Sequence, residues 1–272
     1  MFFYFKGVKN LKKYFSKVVI IICITCLFLS TMYIMRNFLK DKKQNQIFAE
    51  LRDVTKKDED VDKYSEDNTK NETSRRNLEE LYNKNNDFIG WLEIENTHIS
   101  YPIMQTGVDR KDYYLRKNFY KKYSQLGTPY ISEYCNIKSS DNIIVYGHHI
   151  NNYQMFGELE KYKNKDFYEN HQKIKLDTLD ESMIYEIFAV FKTTADEKGF
   201  YYYKFINSNS ERDFFTFIQK CKELSFYETN KKVEYRNKLI TLSTCEYSNK
   251  NGRLVIVAKK ITEEEEKQND KD

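Results

Sequence analysis

At 272 residues the chain is long enough for one domain or two small ones and for a substantial core. Its net charge of +4 is uneven: residues 1–40 hold seven of the 45 basic side chains and no acidic one, leaving 38 basic against 41 acidic over 41–272. A slightly acidic fold excludes a nucleic-acid-binding domain, 8 Gly and 2 Pro exclude a collagenous chain, and five cysteines, two of them in an apolar run, argue against a disulfide scaffold.

Residues 1–17 form a basic segment with five lysines. Val18–Met35 follows, 18 residues without a charge, and a helix of that length reaches roughly 27 Å, close to the thickness of a bilayer's hydrocarbon layer. The lysine excess ahead of it predicts that 1–17 stay in the cytoplasm and that 18–35 is a single-pass transmembrane signal anchor. A cleaved signal peptide is the alternative, but no A-x-A pattern marks a cleavage site. Both readings put the rest of the chain outside the membrane. Cys23 and Cys26 have redox spacing but read as apolar filler within the span.

Residues 36–75 are strongly charged without apolar periodicity and are expected to be a solvated linker. Asn71-Glu-Thr73 within them fits a glycosylation sequon, which matters only in a eukaryotic secretory setting. Leu78, Leu81 and Tyr82 predict a short helix ending near the Asn/Asp cluster at 83–87. From Phe88 the pattern turns to short β-rich runs: Gly90–Ile94, Ile99–Met104, Thr128–Ser132, Asn142–Tyr146, Lys173–Leu176, Met183–Thr193, Leu239–Thr244 and Arg253–Ile261. Eight strands with loops between them favour a mainly β fold, a barrel or a sandwich. Two helices interrupt: a short one over Met155–Tyr162, and one beginning at Ser208 with Glu211 as a capping box. Its stripe of Phe214, Phe215, Phe217, Ile218, Cys221 and Leu224 predicts that Cys221 is a buried core thiol. The acidic tail 263–272 reads as a solvated end.

The chemistry gathers at two strand ends. In Leu239–Cys245, alternation puts Thr241, Ser243 and Cys245 on one face. A polar turn over Glu246–Gly252 then returns the chain as an antiparallel strand, placing Cys245 across from Arg253, with Cβ atoms roughly 5 Å apart. A guanidinium beside a sulfur favours the thiolate, and its donors suit an oxyanion. Asn142–Tyr146 runs into Gly147, His148 and His149, with His148 on the face of Tyr146 and His149 on the face of Val145. A cysteine and an arginine on one hairpin and a histidine at another strand end are the parts of nucleophilic acyl transfer. No Cys/His spacing suggests a metal, and the chemistry requires no cofactor.

Thr241-Leu-Ser-Thr-Cys245 with Arg253 eight residues on, and Tyr146-Gly-His148-His149 with Met155-Phe156 following, resemble the sortases, most closely class B, the Gram-positive cell-surface transpeptidases. Asp87–Ile94, Ile99–Ile103 and Asp112–Leu115 are also similar to that class, and the likeness covers about residues 76–262. It implies an eight-stranded sortase barrel with an N-terminal helix and a helix-bearing loop, here 194–238, before the cysteine strand. By position, the resemblance implies Cys245 as nucleophile, His148 as general acid/base and Arg253 as the cation at the oxyanion. Tyr146, Ser243 and Leu115 become candidate substrate-binding residues. His149 matches a non-catalytic position, and Glu246 is either a group that orients Arg253 or a solvated turn carboxylate. His98 and His171 lack motif partners and read as surface structure. The implied reaction cleaves a C-terminal sorting motif of secreted surface proteins after Thr, through a thioacyl enzyme, and joins the product to a peptidoglycan amine. A pilin-polymerising sortase, a membrane-tethered cysteine hydrolase and a tethered adhesin are the alternatives at this point.

Overall fold

The computed structural model describes residues 2–56, 77–151, 153–262 and 265. The expectations for 57–75, including the sequon at Asn71–Thr73, and for nearly all of the acidic tail 263–272 lie outside those residues. The chain divides into two compact units, Met1–Gln46 and Ile47–Asp272.

The first unit is the larger part of helix α1 (Phe2–Lys56). Its apolar side chains from Val18 to Met35, among them Ile20, Ile24, Leu27 and Phe28, are exposed. The helix is long and apolar enough to cross a membrane.

The second unit is built on a closed barrel. Its strands are β1 (Phe88–Glu93), β2 (Ser100–Met104), β3 (Tyr130–Ile131), β4 (Asn142–Tyr146), β7 (Lys173–Thr178), β8 (Ser182–Thr194), β9 (Leu239–Glu246) and β10 (Gly252–Lys260), with a separate two-stranded ribbon of β5 (His149–Ile150) and β6 (Gln154–Met155). All eight expected strands are present, and the neighbour order β1-β2-β3-β4-β9-β10-β8-β7 closes where β7 pairs with β1. Closure decides for a barrel over a sandwich, because every strand finds two partners and no edge is left. The β2–β3 and β4–β9 pairs are parallel; the others are antiparallel.

Alternation along β9 and β10 feeds two cores. Ile240, Leu242, Leu254 and Ile256 belong to the main core with Leu92, Leu176 and Ile187. Leu239, Val255 and Val257 join a second core beneath helix α4 (Glu211–Leu224), with Phe188, Phe191, Phe205, Phe214, Phe217 and Cys221. With apolar residues on both faces, these strands read as continuous hydrophobic runs. Each large side chain taken from water contributes about 1.5–3 kcal/mol.

Several expectations are corrected. Residues 41–56, expected as solvated linker, continue α1, and Phe48 and Leu51 are fully buried with Ile47 and Val54 packed alongside. Positions 47, 48, 51 and 54 form one helical face that the surrounding charges obscure. Helix α4 is capped by Ser210, whose hydroxyl accepts from the Asp213 N–H, while Ser208 donates its hydroxyl to Asp141. Phe215 falls off the buried stripe and is exposed. The expected helix over 155–162 is a 3-10 helix, Phe156–Lys163. The short helix expected before β1 is present as α2, over 77–84, and a short α3 (Lys165–Asn170) was not expected.

Candidate active site

The β9–β10 hairpin sets Cys245 directly opposite Arg253, as the turn arithmetic predicts, and Arg253 is opposite Thr193 of β8. On this face of β9 the cover thins toward the strand end. Leu239, Thr241 and Ser243 are buried, whereas Cys245 is only partly so. The hydroxyls beneath are paired: Thr241 donates to Asn142 Oδ1 at 2.8 Å, and Ser243 shares a 2.6 Å hydrogen bond with the Tyr202 phenol. Ser243 and Tyr202 are both buried. Burial pushes the Tyr202 phenol up, keeping it a neutral hydrogen-bonding group.

Strand β4 runs parallel to β9 with Tyr146 beside Ser243, and the Gly147 N–H donates to the Ser243 carbonyl at 3.1 Å. His148 and Cys245, each two residues further on, thus leave the same strand pair at the same end. Glycine is required between Tyr146 and His148, because a Cβ at position 147 would lie 2.5 Å from the buried Phe156 ring. Tyr146 is half-buried, its ring 5.6 Å from that of Tyr130.

His148 Nε2 lies 2.8 Å from the Leu115 carbonyl. A carbonyl only accepts, so Nε2 carries the proton and Nδ1 is the free acceptor of the neutral ring. Burial pushes its pKa below 6.5, the Arg116 cation adds to this, and the Leu115 hydrogen bond opposes it. Leu115 is exposed, on a 3-10 turn (Tyr113–Arg116) held from both sides. The Tyr114 phenol donates to Asp87 at 2.9 Å, and its carbonyl accepts from the Thr128 N–H at 3.0 Å. Gly127 has φ +62°, and a Cβ there would lie 2.6 Å from the Leu115 carbonyl. Burial works against the Asp87 carboxylate, but hydrogen bonds from Arg110, Lys121 and Tyr114 hold its pKa below 3.8.

Glu246 does not orient Arg253. Alternation turns it to the opposite face, where it is buried against Lys163 Nζ at 2.8 Å and the Ser248 hydroxyl at 2.6 Å. Arg253 donates instead to the Gly252 carbonyl at 2.9 Å. His98 contacts Glu158, and His171 stacks on Phe167, both in structural roles. Two residues here carry no sequence signal, Tyr202 against Ser243 and Tyr247 in the β9–β10 turn; His149, visible in the motif, places its Nδ1 2.9 Å from the Cys245 carbonyl. Among the described residues no group of three or more His, Cys, Asp or Glu side chains converges as a metal site.

A sortase domain profile matches residues 92–261. Sortase B of Listeria monocytogenes is 36% identical over 192 residues, covering 69% of this chain and 75% of that protein. Sortase B of Staphylococcus aureus is 28% identical over 257 residues, covering 92% and 98%. The solved Staphylococcus aureus sortase B–substrate complex is similar with a TM-score of 0.70 at 26% identity, over 83% of this chain and 99% of that one. A sortase B structure complexed with triglycine also gives 0.70, at 27% identity, over 82% and 100%.

Proposed function

Since the chain belongs to the sortase family, matches its class B members and is a cysteine transpeptidase, we propose that Cys245 is its nucleophile, His148 its general acid and base, and Arg253 the cation that steadies the oxyanion. The observation that carries this reading is one sheet register. Cys245 on β9 pairs with Arg253 on β10, and the β4–β9 register carries His148 and Cys245 off the same end of one strand pair.

The Cys245 thiolate attacks the carbonyl carbon after the Thr of a sorting motif, and the negative charge on the carbonyl oxygen is met by the Arg253 donors. As the tetrahedral centre collapses, the C–N bond breaks and protonated His148 gives its proton to the departing amine. A thioester remains on Cys245. An acceptor amine then attacks the thioester carbonyl and yields its proton to His148 as the thiolate leaves, so both protons are accounted for. Tyr146 and Leu115 line the approach on the His148 side. The bound substrate of the Staphylococcus aureus complex supports a peptide groove here.

The acceptor in this reading is an amine of cell-wall peptidoglycan, and the donors are secreted surface proteins with C-terminal sorting signals. The triglycine in a related sortase B supports a peptide amine as the second substrate. The α1 span anchors the enzyme with residues 1–17 in the cytoplasm and the catalytic domain, residues 76–262 buttressed by 47–56, outside. The test is to incubate the full-length protein with a library of sorting-type peptides, quench with acid and map the adduct. A thioester on Cys245 that an added amine converts to a ligated peptide is the expected product. An adduct on another residue, or release to water alone despite added amine, overturns the reading.

A further inference from the structure

The two adjacent histidines leave β4 with different partners. His148 bonds the Leu115 carbonyl, whereas His149 places Nδ1 2.9 Å from the carbonyl of Cys245 itself. We propose that His149 is a positioning residue for the nucleophile: its Nδ1–H clamps the Cys245 carbonyl and so fixes the thiol relative to His148, its covalent neighbour in the chain. This rests on the assignment of Cys245 and His148 above.

The carbonyl of Cys245 lies past the last β4–β9 pair, Tyr146 with Ser243, so β10 still holds this end of β9 on one side while the β4 ladder no longer holds it on the other. His149 supplies that hold, and is itself fixed on four sides. Its β5 position pairs with Met155 of β6, whose N–H donates to the Tyr101 phenol at 3.0 Å. The Phe156 N–H donates to the His148 carbonyl at 2.9 Å, closing the loop beneath the pair. The Tyr247 ring meets the imidazole edge-on at 5.0 Å, and its phenol donates to the His149 carbonyl at 3.2 Å. Glu160 Oε1 lies 3.8 Å from Nδ1, but its short contact is with Lys163 at 2.7 Å. The imidazole is nearly buried, so its one short polar contact is strongly directional.

Because 148 and 149 are covalent neighbours, one clamp sets the spacing between nucleophile and acid/base. The β4–β9 ladder ends one bond short of doing so, at the Gly147 N–H. A misplacement of about 1 Å at a reacting pair costs up to about 10²-fold. The expected penalty falls on kcat, because His149 faces the back of the strand end, away from the peptide.

Asparagine tests this cleanly. Its Nδ2 donor lies the same number of bonds from the backbone as histidine Nδ1, whereas the glutamine donor lies one further. Full-length His149→Ala, His149→Asn, His149→Gln and Cys245→Ala are compared on one quenched peptide chosen from a library with the parent protein, and on alkylation by iodoacetamide well below their melting temperatures. His149→Ala and His149→Gln should lose about tenfold in kcat with KM within about twofold, and should show a changed pH profile of Cys245 alkylation. His149→Asn should return kcat to within about twofold of the parent. A parent-like His149→Ala, or a His149→Asn no better than His149→Gln, overturns the proposal; the Asn and Gln pair decides even where His149→Ala fails to fold. Cleavage surviving in Cys245→Ala would instead sink the nucleophile assignment.

Discussion

Cys221 and Cys245 carry the same functional group a short way apart in sequence, in regions built to opposite ends. Cys221 lies in the layer beneath α4, wholly enclosed by apolar side chains, and burial alone pushes its thiol well above the ordinary value. Cys245 lies where that layer gives out, at the end of β9, partly open and opposite a guanidinium. Cys221 belongs to the core beneath α4, and so does Leu239, which shares a face of β9 with Cys245. The contrast is one of surroundings: apolar cover closes over Cys221 and stops short at Cys245, where an arginine stands across the ladder.

The largest expected effect comes from exchanging the two. Cys245→Ala should cut turnover by about 10³-fold or more and leave the melting temperature essentially unchanged, because the strand-end thiol fills little core. Measured kinetics and a thermal melt on the same sample check both halves. A clear drop in melting temperature with activity retained would reverse the roles of the regions.

Phe214→Ala is the counterpart in the layer. The Phe214 ring is fully buried and meets the Phe205, Phe215 and Tyr235 rings edge-on, so truncation should cost about 3–5 kcal/mol in denaturant unfolding. Specific activity well below the transition should stay near that of the parent. A loss of activity without a loss of stability would mean that the layer takes a direct part in the chemistry.

Smaller still, Cys221→Ala should cost about 1–2 kcal/mol through lost apolar burial, with activity preserved. In the native protein iodoacetamide should label Cys245 and spare Cys221 and Cys135, both of which are buried. Peptide mapping after a short pulse, and again after unfolding, separates the three.

The same contrast explains what was readable from the amino-acid sequence. Strands survive as signals because alternation and turn residues are local, and the Cys245–Arg253 pairing follows from the length of one hairpin. The second strand-end motif, Gly147–His149, was visible as residues, but the parallel β4–β9 pairing that carries it to the same end as Cys245 joins segments about a hundred positions apart. The acceptors for His148 and His149 are the carbonyls of Leu115 and Cys245, and a main-chain oxygen carries no residue identity to search for. Residues 47–56 were missed for the opposite reason. Their four apolar positions are diluted by charged neighbours, and only contact with the barrel shows that the face is buried. Glu246 fits neither reading open to it, an orienting partner of Arg253 or a solvated turn carboxylate, because strand alternation buries it against Lys163.

The finest distinction between the regions is in how burial acts on a titrating group. On Cys221 it acts unopposed, whereas on His148 it is joined by the Arg116 cation and countered by the Leu115 hydrogen bond. All three bear on the imidazolium, with the net result that the His148 pKa lies below 6.5. The folded protein then binds fewer protons at this site than the unfolded chain in the window between the lowered pKa and 6.5. Stability from His148 therefore rises with pH through that window and is complete above it; below it the group weakens the fold. Arg116→Gln removes the like charge while keeping a long polar side chain, so the His148 midpoint should move up toward 6.5 and the window should narrow from its lower end. Imidazole proton shifts followed by NMR, with His148→Gln to assign the resonance, measure the midpoint directly. The pH profile of kcat/KM should carry the same displacement, because the proton given to the leaving amine is the one that titrates. A midpoint above 6.5 in the parent, or one that moves down in Arg116→Gln, would mean that the groove does not impose on His148 the burial seen beneath α4.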